Sequence, residues 1–333
     1  MARVVPIGGD PPREGTWLGI DLGGTKVALR AETDDGEVRE HVFRWRGRGL
    51  GSDLAQLSAE VSLLRQQVPG GFAAVGIALP ATVGTDGLVT AWPSRPEWLG
   101  LDVRRTFRDL FGDTPVRWAD DGDLGALAEA RATGCDDLLY VGVGTGVGGG
   151  LISGGELWPG LDRGSFEIGH LVTDADGPLC QCGRRGCLQA TASGPATLAR
   201  AARLRGTGVA YDELQQAVLA DEEWAVQAVD RSCHRIAVAI TGIRELLHPS
   251  LAVVGGGFAA GLPSFADMVS RHIATLARPG VPTPLVKPSL VGGLSTLHGA
   301  VALARLIGQN STRSTATVRL HPQLALRVPP SDL

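Results

Sequence analysis

Residues 16–32 read TWLGIDLGGTKVALRAE, and residues 137–157 read DLLYVGVGTGVGGGLISGGEL. In each, an apolar run enters a glycine-rich turn and leaves it as a second apolar run, the pattern of a strand hairpin. Two such hairpins in one chain, each opening a unit of strands and helices, predict a duplicated α/β domain. The spacing of Leu54, Leu57, Val61 and Leu64 predicts a helix over 53–67, followed by a buried strand over 73–80 that stops at Pro80. Further helices are expected over 101–111, 122–132, 194–247 and 264–278, with strands over 115–120 and 251–257. This divides the chain into a loose leader (1–15), a small α/β domain (16–120) and a large α/β domain (121–300). A last helix (301–309) packs back on the small domain, and an irregular tail (310–333) follows. No Pro/Ser linker separates the two domains, so their boundary reads as a hinge near 119–135.

Composition narrows the function classes. The 333 residues are 44% hydrophobic and 20% charged, a globular balance with enough apolar surface for a core. A net charge of −4 lacks the basic footprint of a nucleic-acid binder. No apolar run reaches the ~18–20 residues of a membrane span, and the first residues lack the apolar stretch of a secretory signal. Five cysteines, three of them within residues 180–187, suit metal binding in a reducing cytoplasm better than a disulfide scaffold. Among 31 basic residues only Lys26 and Lys287 are lysines, which reads as a coding bias toward Arg.

The glycine turns carry the first chemical signal. Asp21-Leu22-Gly23-Gly24-Thr25-Lys26 is a tight turn in which glycines permit positive φ and let a phosphate approach backbone N–H groups. Thr25 offers a hydroxyl, Lys26 a charge, and Asp21 a carboxylate for hydrated Mg²⁺. The ordinary alternative is a Gly-Gly hairpin turn. Gly144-Thr145-Gly146 begins a stretch that matches G-x-G-x-x-G, but a strand follows it where a dinucleotide fold needs a helix. A second phosphate clamp facing the first is the better reading. Gly255-Gly256-Gly257, after a buried strand, is a third contact beside an adenosine, or else a plain strand-to-helix turn.

Two clusters supply the rest. Cys180, Cys182 and Cys187 lie in CQCGRRGC, with His170 ten residues upstream in FEIGH; three thiolates and one imidazole make a closed, structural zinc site. A disulfide with a spare thiol is the alternative. Cys135 and Cys233 read as inert buried thiols. Asp120 and Asp121 follow a strand and precede a helix, where an aspartate is ordinarily an N-cap. Two adjacent aspartates plus Asp123 exceed what a cap needs. A carboxylate there can take the proton of a hydroxyl that attacks a γ-phosphate. Glu167 is either a ligand for polyol hydroxyls or a solvated surface acid.

These pieces, in this order from about Gly19 to Ala304, resemble the ROK family (repressors, open reading frames, kinases). FEIGH followed by CQCGRRGCLQATASG is the most specific stretch, similar to the family signature E-x-G-H with C-x-C-G-x-x-G-C-L-E. The resemblance implies a duplicated α/β fold of the actin-like ATPase (ribonuclease H-like) type, with two domains flanking an active-site cleft where ATP and sugar meet. By motif position Asp121 matches the family's catalytic aspartate, and Asp120 stands where an asparagine contacts sugar hydroxyls. Glu167 and His170 match sugar-contacting residues, His170 also ligating zinc through its other ring nitrogen. Pro80-Ala81 stands for a usual Pro-Gly, Gln189 for a usual glutamate, and Phe166 for a usual glycine. The run Ala119-Asp120-Asp121-Gly122-Asp123 replaces Glu-Asn-Asp-Ala-Asn. The nucleotide side matches and the sugar side departs.

The expectation is an ATP- and Mg²⁺-dependent kinase, with structural Zn²⁺, for the primary hydroxyl of a glucose-like ring. Asp120 suits an ammonium, as in kanosamine. Gln189 suits a ring ketone, as in a C7 cyclitol such as valienone or 2-epi-5-epi-valiolone. Plain glucose is the alternative. A sugar-responsive repressor needs a winged helix-turn-helix of roughly seventy residues ahead of the first turn, and twenty residues precede Asp21. A non-catalytic sugar-binding relative fits poorly with retention of Asp121, Lys26 and both clamps. The resemblance favours a homodimer, with no nucleic-acid or membrane partner.

Overall fold

The computed structural model describes residues 15–313 apart from 69, 162 and 263, with side chains to residue 308. The leader up to residue 14 and the tail beyond Arg313 lie outside the described residues.

Strands β1 (Thr16–Leu22), β2 (Lys26–Thr33) and β3 (Val38–Arg44) form an antiparallel meander. Helix α1 (Leu50–Gln66) crosses to β4 (Phe72–Ala78), which lies parallel to β1. A two-stranded ribbon, β5 (Thr82–Val83) and β6 (Val89–Ala91), precedes α2 (Val103–Phe111) and β7 (Val116–Ala119), which joins β4 in parallel. The sheet order is β3-β2-β1-β4-β7. Helix α3 (Asp121–Thr133) then leads into the second unit. There β8 (Leu138–Val143), β9 (Val147–Ser153) and β10 (Glu156–Trp158) repeat the meander. Four helices follow: α4 (Leu188–Ala192), α5 (Gly194–Arg205), α6 (Tyr211–Leu219) and α7 (Glu223–Leu247). After them β11 (Leu251–Gly255) lies parallel to β8; α8 (Gly257–Ala260) and α9 (Phe265–Leu276) precede β12 (Leu285–Pro288), parallel to β11. The order β10-β9-β8-β11-β12 copies the first sheet, so the duplication read from the two hairpins is real.

The central strands are buried on both faces, which is why β1 and β8 read as near-continuous apolar runs. Leu18, Ile20, Leu22 and Ile77 anchor one core; Leu139, Val141, Ile236 and Val254 anchor the other. Between them run α3 and the last helix, α10 (Ser295–Arg313), which packs on α3, β1 and β4.

Several expectations change in detail. The helical stretch over 194–247 is three helices, broken where Gly206 (φ 82°) and Asp221 (φ 57°) turn left-handed. The last helix begins at Ser295 rather than 301, out of a short 3-10 turn at Gly292–Leu294, and packs on α3 as well as on the first sheet. It continues to Arg313, so residues 310–313 are helical rather than irregular. Strands β3 and β12 went unread because both are edges: VREHVFR is mostly exposed and mixes charged with apolar residues, and LVKP ends in a proline.

Candidate active site

The three glycine turns sit at strand ends of the two sheets. The first joins β1 to β2, the second joins β8 to β9, and the third follows β11 beside β8. Thr25 and Lys26 are exposed at the tip of the first, and Thr145 at the tip of the second. Neither Gly23 nor Gly24 has a positive φ, contrary to the expectation for this turn. Gly24 is needed for close approach instead, because a Cβ there would overlap the side chain of Ser94. The second turn closes on itself, the Gly144 N–H donating to the Gly146 carbonyl at 2.9 Å. It is tied to α5, whose Gly194 N–H donates to the Gly144 carbonyl at 2.9 Å. In the third, Gly256 has φ 87° and abuts the backbone of Val143, so the second and third turns touch. Gly255 packs against Tyr140 and Ser289, and Gly257 faces open space.

The paired aspartates open α3. Asp120 is its N-cap, its carboxylate accepting the Gly122 N–H at 3.0 Å. Asp121 follows with its Oδ1 buried and, among the described residues, without a hydrogen-bond partner. Burial, then the charge of Asp120, then that of Asp21, push the Asp121 carboxyl up to about 7. Asp21 is itself raised by burial, with Lys26 opposing. The first glycine hairpin and the paired aspartates therefore act on one another electrostatically across the two units. An unpartnered carboxylate with a proton affinity near neutrality can accept a proton from a substrate hydroxyl.

Beside this pair a cleft of about 910 Å³ opens between the units. Pro80 and Ala81 after β4, Asp120 and Asp123 of α3, and Glu167 line one part of it; Arg104, Arg108, Arg117 and Arg163 line another. Asp123 is 7% exposed and is pushed up to about 7 by burial, the Asp120 charge and Glu167, against a hydrogen bond from the Phe166 N–H at 3.3 Å. Glu167 is solvent-facing, so the surface-acid reading is right about its exposure, yet it lines the cleft and is raised by burial and by Asp120. Asp120 is likewise both things at once, a cap and a cleft wall. Asp121, His170 and Gln189 lie outside this lining. Gln189 is nonetheless local: its side-chain oxygen accepts the Val147 N–H at 3.2 Å, directly after the second glycine turn. Phe166, which had no expected partner, stacks edge-on against Trp158 at 5.8 Å, and Trp158 lines the cleft.

The four residues expected to hold zinc converge. One ligand atom from each of His170, Cys180, Cys182 and Cys187 falls within 4.8 Å of all the others. Sγ of Cys182 and Cys187 are 3.6 Å apart, and Nδ1 of His170 is 3.9 Å from Sγ of Cys180. A tetrahedron of ~2.3 Å zinc–sulfur bonds has edges of about 3.8 Å, so the four donors fit zinc. The three cysteines are free thiols, which speaks against the disulfide alternative. Gly186 (φ 70°) makes the loop possible by lying against the backbone of Asp174. Because Nδ1 faces the thiolates, Nε2 of His170 is left for another partner. Cys233 is buried among α7 and α9 as expected, whereas Cys135 is only half-buried beside Ser250.

The role of Asp123 went unread because a third acid in a helix's first turn looks like dipole compensation. Its signal was a cluster larger than a cap needs. The groups under the first hairpin, Arg95, Asp53 and Trp45, gave no motif at all.

The ROK family model matches residues 17–306. The kanosamine kinase of Amycolatopsis mediterranei is 54% identical over 87% of this chain and 96% of its own length. The Thermotoga maritima glucokinase is 29% identical over 72% of this chain and 81% of its own. Among solved structures, a ROK hexokinase from Thermus thermophilus superposes with a TM-score of 0.76 at 26% identity, covering 87% of this chain and 98% of that one. A ROK glucokinase from Streptomyces griseus, in complex with glucose and AMPPNP, has a TM-score of 0.71 at 25% identity, covering 88% and 100%. The duplicated sheet order, the glycine turns and the Cys/His loop thus have one common explanation: the chain belongs to the ROK family, with its actin-like ATPase fold.

Proposed function

We propose that this protein is an ATP-dependent kinase that phosphorylates the primary (6-) hydroxyl of an amino sugar, kanosamine (3-amino-3-deoxyglucose) above all. The observation that carries the substrate is the acidic wall of the cleft, Asp120 with Asp123 and Glu167. Neutral sugar hydroxyls do not need three carboxylates whose burial disfavours their charge, whereas a substrate ammonium offsets that cost. The 54% identical kanosamine kinase supports the same reading, and the glucokinases matched are more distant.

In this mechanism the N–H groups of the Gly23–Thr25 and Gly144–Gly146 turns, with Thr25, Thr145 and Lys26, bind the phosphates of ATP. Gly255–Gly257 lie against the adenosine. Magnesium, when bound, neutralises phosphate charge, and Asp21 is the carboxylate that would hold it through water. Pro80, Asp120, Glu167, Nε2 of His170 and Gln189 orient the sugar. Gln189 keeps its oxygen on Val147 and so offers its amide N–H to the anomeric oxygen. Asp121 accepts the proton of the attacking hydroxyl through its unpartnered Oδ1. Closure of the two domains, 16–120 on 121–300, excludes water and suppresses hydrolysis of ATP. Zinc on His170, Cys180, Cys182 and Cys187 is structural and holds His170 in one tautomer. The enzyme acts in the cytoplasm as a homodimer, a state that sedimentation equilibrium would test.

Side-by-side kcat/KM for kanosamine, glucose and a C7 cyclitol ketone such as valienone tests the assignment. Kanosamine is expected to lead. A tenfold or greater preference for glucose over both others would return the protein to the glucokinases, and a lead for the ketone would move the assignment to Gln189.

A further inference from the structure

Beneath the Asp21–Lys26 hairpin lies a buried polar cluster that the reaction itself does not use. Arg95 and Asp53 are 3% and 1% exposed. Nη1 of Arg95 donates to both carboxylate oxygens of Asp53, at 3.1 and 2.9 Å, and to the Gly47 carbonyl at 3.0 Å. The Trp98 indole N–H adds a third contact to Asp53 at 2.9 Å. Nη1 also reaches Oε1 of Glu97 at 3.4 Å. The contact through Nε is the informative one: it donates to the Gly24 carbonyl at 3.0 Å. Trp45, against which the guanidinium stacks at 4.8 Å, donates its indole N–H to the Gly23 carbonyl at 2.9 Å. Its backbone N–H donates to the Thr25 carbonyl at 3.3 Å.

Three successive carbonyls of the turn are therefore drawn to the same inner side. In a planar trans peptide the carbonyl of one residue points opposite to the N–H of the next, and the peptides here are trans. Holding the Gly23 and Gly24 oxygens inward aims the Gly24 and Thr25 N–H groups outward. Among the described residues neither of those N–H groups has a protein acceptor. A guanidinium on a carbonyl oxygen also polarises that peptide and strengthens its opposite N–H as a donor. Asp53 and the partly exposed Glu97 both pair with the buried guanidinium, so the arrangement acts by orientation and adds no positive charge under the nucleotide. An ion pair this deep has a large desolvation cost and is poor evidence of added stability by itself. A role at the hairpin accounts for it.

The geometry points to Arg95 and Trp45 as positioning residues that pre-form the anion-binding face of the first glycine turn. This rests on the hairpin being the phosphate site of the proposed kinase. The test uses Arg95→Met, Arg95→Lys and Trp45→Phe in the full chain. Affinity for Mg·AMPPNP is read by calorimetry, and KM for ATP and for the sugar by steady-state kinetics. Arg95→Met is expected to weaken nucleotide binding ~10-fold or more and Trp45→Phe ~3- to 10-fold. KM for the sugar should stay within about twofold, and Arg95→Lys should recover part of the loss. Trp45→Phe keeps the aromatic packing on Phe43 and Trp98, so it decides the matter if Arg95→Met does not fold. Folded variants that bind the nucleotide as wild type does would overturn the inference and leave the kinase reading standing. Equal losses for nucleotide and sugar would also overturn it, by marking the cluster as merely structural. A wild-type protein that binds no nucleotide would remove both.

Discussion

The two parts of the proposed active site are made from different material. The proposed nucleotide side consists of backbone: glycine turns at strand ends, with N–H groups as donors and few ionisable side chains. The proposed sugar side is acidic, with Asp120 capping α3, Asp121 and Asp123 in its first turn and Glu167 nearby, while four arginines line the other part of the cleft. Backbone donors treat every nucleoside triphosphate phosphate alike, so that side can stay constant while substrates change. Side-chain charge is specific, so the proposal concentrates substrate identity there.

The most severe way to break this contrast is Asp121→Asn. It keeps size and leaves the glycine turns untouched, but it removes the proton acceptor. The expected loss is on the order of 10²–10⁴ in kcat with nucleotide affinity retained, measured by steady-state kinetics and calorimetry. Near-full turnover would show that the base lies elsewhere.

Metal removal tests whether the sugar side depends on a scaffold that the nucleotide side does not need. Zinc analysis should find one atom per chain, as expected for a single Cys₃His site. Cys182→Ser should lower the melting temperature and raise the sugar KM, because the loop carries His170 next to Glu167 and leads into Gln189. An unchanged melt in a protein without zinc would end that assignment.

A sharper contrast comes from Asp120→Asn, which keeps the cap but drops the charge. The ratio of kcat/KM for kanosamine over glucose should fall by roughly tenfold to a hundredfold, the usual worth of a charge-assisted bond. KM for ATP should not move. If the ratio is unchanged, the acidic wall does not recognise an ammonium.

The smallest expected effect is on stability. Asp121 and Asp123 are raised from the ordinary carboxylate range up to about 7 in the fold. Between roughly pH 4 and 7 the native state then binds more protons than the unfolded chain, so stability is full at low pH and is lost as pH rises through 7. Asp123→Asn should therefore melt higher than wild type at pH 8, by roughly 2–4 °C, with the difference vanishing near pH 4. Calorimetric scans at both values check the sign. The same shift predicts a kinetic limb in kcat/KM at or below about pH 7, since magnesium at Asp21 would offset one of the charges that raise Asp121.

Local chemistry was legible in the residues wherever one short segment contained all of it. The hairpins showed as apolar runs around glycines, and the duplication showed because both copies kept that pattern. The Cys/His cluster was readable because three of its members span eight positions and the fourth lies ten residues away. The proposed base, Asp121, showed as an acid at a strand end between two glycine turns. Tertiary structure alone decided what depends on distant segments meeting. No spacing reveals that Arg95 reaches Gly24 across 71 positions, or that Trp45 holds the turn from a strand edge. Nor does it reveal that Gly24 is required by Ser94 rather than by its own φ. The proton affinities of Asp121 and Asp123 were equally invisible. They follow from burial and from neighbouring charges, and both arise only when the two sheets and α3 come together.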